Sequence, residues 1–337
     1  MADERAVTTS ATDQIARTRA YRAGTLEKQD FPVADISEYL DAEDTVVWVD
    51  LCAPDTKDLD IIGRELGLHK LAVEDAAERR QRPKLDRYAT HEFLNIYATH
   101  LDQESGELVL SEVAAFITPS ALVTVRKDDQ FDLDAVMNRW DNSPDLVGNQ
   151  VVVLLYGLID YVVDGHFDAV ESLDEAIEGL QDVLFDEHSR DADVQRRSFE
   201  MRKSLVTLRR VVLPMREVVN TLMRRDVMSI SQEMVPYFQD VYDHVLRATE
   251  WTESLRDLVT TILETNLTIQ GNRLNIITKK VTSWAAIIAV PTAITGFYGQ
   301  NLPYPGFSTM SGFITSSALI VGLSALLYVV FRRKGWL

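Results

Sequence analysis

The sequence predicts an α+β membrane protein: a soluble α/β domain, then long helices, then two apolar helices of membrane-spanning length. Three observations carry this expectation. Runs rich in β-branched and aromatic residues are confined to the first 145 or so residues. From Ser231 a helical pattern meets no strong breaker for about 60 residues. Finally, the 51 residues between Lys280 and Arg332 contain no charged side chain.

Residues 1–145 are expected to form the α/β domain, with 1–43 a polar lead-in carrying one strand near Arg22–Glu27. TVVWVDL (45–51) has the composition of a strand, and Pro54 starts a helix from Asp55 to Leu66. Further strands are expected at 92–100, 108–117 and 121–126, and helical patterns at 70–80 and 131–140. After Gln150 the β signal ends. Two helical runs, 150–187 and 192–225, break at the polar HSRDAD and form a helical hairpin spanning 146–230. The next run is a stalk helix (231–280), along which Phe238, Val241, Val245, Leu255, Leu258 and Ile262 keep a three-to-four spacing. Two helices with a bend near Gly271 are the alternative, although one glycine costs a helix only about 1 kcal/mol.

The uncharged stretch divides at LPYPGFSTMS (302–311). The first span covers 281–301 and the second 312–331, each close to the roughly 20 residues that cross a bilayer. Lys279 and Lys280 precede the hairpin, Arg332, Arg333 and Lys334 follow it in the tail 332–337, and the loop carries no charge. Positive flanks stay inside, so both termini are expected in the cytoplasm and the protein at the cell membrane as a multi-pass chain. Pro291, Thr292, Thr295, Gly296 and Gly299 give the first span a small, polar face suited to close packing on its own copies or to lining water.

Charge separates the parts. The chain has 34 basic and 52 acidic residues; six basic and no acidic residues fall in 265–337, leaving 28 against 52 in residues 1–264. This argues against a nucleic-acid partner. The single Cys52 excludes an internal disulfide. The opening MADERAVTTS lacks the apolar core of a signal peptide. No Walker loop, HExxH, CxxC or GxSxG occurs, so neither an enzyme nor an organic cofactor is expected. Acidic doublets along 164–192 read as solvated helix faces, and RRQRPK (79–84) as a solvated turn rather than a nucleic-acid patch.

At the outer end of the first span stands Gly296-Phe297-Tyr298-Gly299-Gln300-Asn301. It resembles the GxN signature that closes the first membrane helix of the CorA family of divalent cation channels. VEDAAERRQRPKLD (73–86), LLYGLID (154–160), YFQDVYDH (237–244) and the ending RRKGWL are similar to family segments in the family's order.

The resemblance implies a funnel-shaped homopentamer in the bilayer, with a long stalk helix continuous with the first membrane helix. It implies Mg²⁺ as the transported ion, Co²⁺ and Ni²⁺ as further candidates, and Mg²⁺ also as a regulatory ligand. Five Asn301 amides would ring the outer mouth, Tyr298, Gly299 and Gln300 would shape the turn presenting them, and Thr292 would form a second polar ring. Asp75 and Asp240 would share a regulatory cation between neighbouring subunits, with Glu74, Asp160 and His244 near a second ion. The sequence departs from the family pattern at two places. Gln300 stands where the magnesium members usually carry Met, and the loop 302–311 has no acidic residue. A zinc transporter of the related ZntB-type group and a non-conducting membrane-anchored interaction protein are the competing readings.

Overall fold

A computed structural model describes residues 16–40, 44–79, 81–102, 107–141, 151–185, 191–224, 230–300, 303 and 306–337. The chain divides into two compact units, Met1–Thr260 and Thr261–Leu337.

The first unit is built on a seven-stranded sheet: β1 (Ala16–Arg22), β2 (Thr25–Gln29), β3 (Thr45–Cys52), β4 (Lys84–Arg87), β5 (Glu92–Leu101), β6 (Leu108–Ile117) and β7 (Ala121–Arg126). The spatial order is β2-β1-β3-β7-β6-β5-β4. β3 and β7 pair in parallel, and the other neighbours are antiparallel. β3 is buried on both faces, which is why Val46–Val49 is a continuous apolar run rather than an alternating one. Successive side chains point to opposite faces. Val46 and Trp48 enter one core with α4 (Leu133–Asp141), α5 (Val151–Phe185), α6 (Asp191–Leu222) and the start of α7 (Val235–Tyr298). Val47, Val49 and Leu51 enter another with α1 (Ile36–Leu40), α2 (Thr56–Glu65) and α3 (Lys70–Ala77). The unit is therefore a helix–sheet–helix sandwich.

Residues 16–40 are more structured than a polar lead-in. β1 and β2 form a hairpin whose two-residue loop, Ala23 (φ 49°) and Gly24 (φ 74°), has both φ angles positive, the geometry that matches strand twist. The strand ARTRAYR alternates small and charged residues, so it lacks the apolar run that marks a buried strand. α2 begins one residue later than expected, because Asp55 is its cap. The Asp55 carboxylate accepts from Lys57 N and Asp58 N (2.8 and 2.9 Å), and Asp58 accepts in return from Asp55 N at 3.0 Å.

One ion pair is buried in the middle of the sheet. Arg126 Nε and Nη2 donate to Asp50 at 3.0 and 2.8 Å, and Thr124 Oγ1 donates to the same carboxylate at 2.7 Å. Asp50 is fully buried, and the pair bridges the two parallel strands.

α5 is tied to β5 by polar contacts. Thr99 Oγ1 donates to Gly165 O at 2.9 Å, and the buried His166 ring meets Tyr97 O through Nε2 at 2.7 Å. α7 buries Phe238, Val241, Val245, Ala248, Thr252, Leu255 and Val259 in the first unit. These fall in a strict seven-residue repeat with three-four steps, the pattern of a left-handed helix seam. Val259, not Leu258, takes the seam position. α7 is one helix of 64 residues, about 95 Å long, with no break at Gly271.

In the second unit, α7 and α8 (Met310–Arg333) are both long and apolar enough to cross a membrane. α8 has no buried residue, and the apolar window of α7 is 6% buried. Trp284, Ile288, Phe313 and Val321 lie exposed.

Two outcomes are expected. Arg126→Met leaves Asp50 buried without its cation and should destabilise the protein by about 3–5 kcal/mol, seen as a lower thermal midpoint in detergent. Burial, partly offset by the bond to Tyr97, lowers the His166 pKa from 6.5 to about 4, so the folded chain keeps the ring neutral. The unfolded chain protonates it below about pH 6.5. Its contribution is thus intact above that pH and is lost as pH falls toward 4, by up to roughly 3 kcal/mol. Thermal midpoints of His166→Gln measured from pH 7 to 4.5 should fall less steeply than those of the parent.

Candidate functional site

The first span ends where its sequence requires. Tyr298 is the last residue of α7. Gly299 N donates to Thr295 O at 2.8 Å and Gln300 N to Phe297 O at 3.3 Å, which tightens the final turn. A Cβ built on Gly299 would lie 2.8 Å from the Thr295 carbonyl oxygen, so this position has no room for a side chain without backbone movement. Asn301 lies outside the described residues.

On the same helix, Thr292 is exposed, and its hydroxyl donates to Ile288 O at 3.0 Å. That leaves the hydroxyl oxygen as an acceptor on the surface. Thr295 donates in the same way to Pro291 O at 2.9 Å. Ala285, Ala289, Gly296 and Gly299, on the face around Thr292, are exposed as well. Half-buried or buried positions (Ser283, Ala286, Ile287, Val290, Ile294, Tyr298) take the other side. Within this unit the face of α7 around Thr292, which also carries the exposed Val281 and Ile288, is open.

The acidic residues singled out from the sequence fall in two places. Glu74 and Asp75 are on α3, in the layer on one face of the sheet. Asp75 is paired with Lys84 Nζ at 2.5 Å, and the same ammonium reaches Asp86 Oδ2 at 2.7 Å. Lys84 is the first residue of β4, so the RRQRPK segment is only in part a solvated turn. Its backbone at Gln81 is clamped. Gln81 N donates to the buried Glu112 carboxylate at 3.1 Å, while Asn95 Nδ2 (3.3 Å) and the Tyr97 hydroxyl both donate to Gln81 O.

Asp160, Asp240 and His244 belong to the opposite layer, where α5 and α7 meet. The Tyr156 ring packs edge-on against Tyr237 and Phe238, with centroids 5.5 and 5.9 Å apart. The Tyr156 hydroxyl is pushed up to about 12 by burial and by the nearby charges of Asp160 and Asp240. Asp160 pairs with Arg139 Nη1 and Asp164 with Arg139 Nη2, each at 2.7 Å. Burial, reinforced by Asp164, raises the Asp160 pKa, and Arg139 opposes that shift. Asp240 is the most open of the group: its side chain is 66% exposed and meets His244 Nε2, one turn on, at 3.9 Å.

The glycine of LLYGLID has a steric cause. A Cβ on Gly157 would sit 2.3 Å from Trp140 Nε1, so the α4 indole occupies the space a side chain would need.

Asp160, Asp240 and His244 therefore come together around Tyr156, and Asp75 with Glu74 does not join them in one chain. Among the described residues no group of three or more His, Cys, Asp or Glu side chains can hold a metal ion. The carboxylates of Asp75, Asp160 and Asp240 are hard oxygen donors of the kind Mg²⁺ accepts. Lys84, Arg139, Asp164 and Tyr156 were not singled out as site residues from the sequence. For Lys84 and Tyr156 the signal lay in the QRPK and LLYGLID segments; Arg139 sits on α4, far in sequence from the acidic residues it joins, and nothing local marks it.

The chain has relatives among known proteins. The chain is 28% identical over 316 residues to the cobalt/magnesium transport protein CorA of Thermotoga maritima, spanning 92% of this chain and 90% of that protein. It is 24% identical over 269 residues to the zinc transport protein ZntB of Yersinia enterocolitica, spanning 76% and 77%. The complete structure of the CorA magnesium transporter from Methanocaldococcus jannaschii superposes with a TM-score of 0.79 at 21% identity, covering 96% of this chain and 99% of that one. Its likeness establishes the fold: a soluble α/β domain, one long helix and two candidate membrane helices. The family model described as CorA-like Mg2+ transporter protein matches residues 43–333, and the chain belongs to that family of membrane transporters.

Proposed function

We propose that the protein is a channel for hydrated divalent cations, Mg²⁺ first, formed by five copies with the Thr292 face of α7 lining the pathway. The observation that carries this reading is the open face of α7 around Thr292, which runs to a glycine that has no room for a side chain immediately before Gln300 and Asn301. Mg²⁺ dehydrates reluctantly, so a pathway for it must bind water rather than metal. The Thr292 hydroxyl, its proton already committed to the helix, is an acceptor for water hydrogens. A ring of Asn301 amide oxygens at the mouth would do the same without the tight hold of carboxylates, which conduction cannot tolerate. Lys279 and Lys280 before the spans and Arg332, Arg333 and Lys334 after them support cytoplasmic termini. Entry then runs with the membrane potential: a divalent ion gains about 4.6 kcal/mol per 100 mV.

Regulation follows from the acidic residues. The exposed Asp240 of one subunit and Asp75 of its neighbour would share a cytoplasmic Mg²⁺, with Glu74, Asp160 and His244 nearby. Carboxylates gathered across an interface repel until a cation lies between them, so high cytoplasmic Mg²⁺ favours the closed assembly.

Zinc transport is the second reading, supported by Gln300 in place of the usual Met and by the likeness to ZntB. Flux into liposomes separates the two. The channel reading expects Mg²⁺ and Co²⁺ entry driven by potential and indifferent to a pH gradient, whereas zinc flux that requires the gradient would replace it. Asn301→Ala should abolish uptake with the oligomer intact, as judged by size-exclusion chromatography; normal uptake would remove the pore assignment. Asp240→Ala should leave protease cleavage of the stalk independent of Mg²⁺, and a parent-like Mg²⁺ response would count against the sensor.

A further inference from the structure

We propose that Lys84 is a tethered counter-ion for Asp75: it holds the carboxylate when no divalent ion is bound, and the ion must displace it. This rests on the regulatory reading above and concerns the metal concentration at which that site responds. The Lys84 ammonium lies between two carboxylates, 2.5 Å from Asp75 and 2.7 Å from Asp86. Its position is fixed from behind. Both backbone polar groups of Gln81 are held on the sheet by Glu112, Asn95 and Tyr97, and Lys84 pairs with Asn95 in the β4–β5 register. The Lys84 ammonium also sits 5.6 Å from the centre of the Phe93 ring. A solvated lysine needs no such clamp.

Electrostatics makes the competition direct. Asp75 cannot give its full charge to a divalent ion while an ammonium sits at hydrogen-bond distance, and that ammonium repels the ion. Displacement is possible because Lys84 has somewhere to go. Asp86, two residues on along β4, lies on the same face of the strand and already meets the ammonium at 2.7 Å. As the ion takes Asp75, the ammonium stays with Asp86 and keeps an anionic partner. The chain thus carries a monovalent occupant for its own divalent site, and the strength of that occupant's hold raises the Mg²⁺ level needed for closure.

The consequence has two signs. Lys84→Met removes the competitor, keeps an unbranched side chain of similar length, and should lower the Mg²⁺ midpoint of protease protection by at least about fivefold, the low end of usual coupling between sites. Asp86→Asn removes the rival carboxylate, commits Lys84 more fully to Asp75, and should raise the midpoint. A purely structural lysine would not shift the two variants in opposite directions. Full-length protein in detergent is titrated with Mg²⁺ under limited proteolysis, with Asp75→Asn in parallel. If Asp75→Asn loses the Mg²⁺ response and Lys84→Met keeps or raises the parent midpoint, the counter-ion assignment is overturned alone. Should Lys84→Met not fold, Asp86→Asn decides, and a midpoint that falls or stays overturns the assignment. A parent-like response from Asp75→Asn overturns the regulatory reading and the assignment together.

Discussion

A single helix has to satisfy two solvents, and most of the structure follows from that constraint. Over its first part, α7 buries a narrow seam of Phe238, Val241, Val245 and their successors, with charged residues on the remaining faces. Beyond Lys280 the charges stop, and the helix exposes Trp284 and Phe297 instead. No proline or capping sequence interrupts the change until Pro291, which α7 passes without ending. In water the exposed apolar stretch would be an aggregation surface; in hydrocarbon it is the ordinary exterior of a spanning helix.

Much of this was legible in the sequence because it depends on local periodicity and composition. TVVWVDL reads as a strand, and the three-four spacing marked the seam of α7 to within one residue. Leu258 was chosen over Val259 because both are apolar neighbours, and only the seven-residue phase of the whole seam separates them. Of the β1–β2 hairpin only one strand, near Arg22–Glu27, was expected, and it straddles the turn. β2 is a sheet edge of exposed glutamate, lysine and glutamine, and β1 interleaves arginines with the small residues it buries, so neither shows an apolar run.

The charged site was legible mainly in its acidic half. Aspartates attract notice as metal ligands; Lys84 lies in the same segment, 73–86, as its partner Asp75, whereas Arg139 on α4 reaches Asp160 and Asp164 on α5 from another element. Sequence spacing cannot show such pairs, since they depend on how the layers stack. The body's surplus of acidic residues is thus unevenly shared. Asp50, Asp75 and Asp160 have fixed cationic partners, while Asp240 is largely given over to solvent.

The missing side chain at Gly157 acts on the acidic helix as a key does in a lock. Because the Trp140 indole fills that notch, α5 cannot turn about its own axis without driving backbone into an aromatic ring. Tyr156, Asp160 and Asp164 follow one another at steps of four, so a single angular setting aims all three. An apolar contact with no charge of its own thereby determines where a row of negative and phenolic oxygens points.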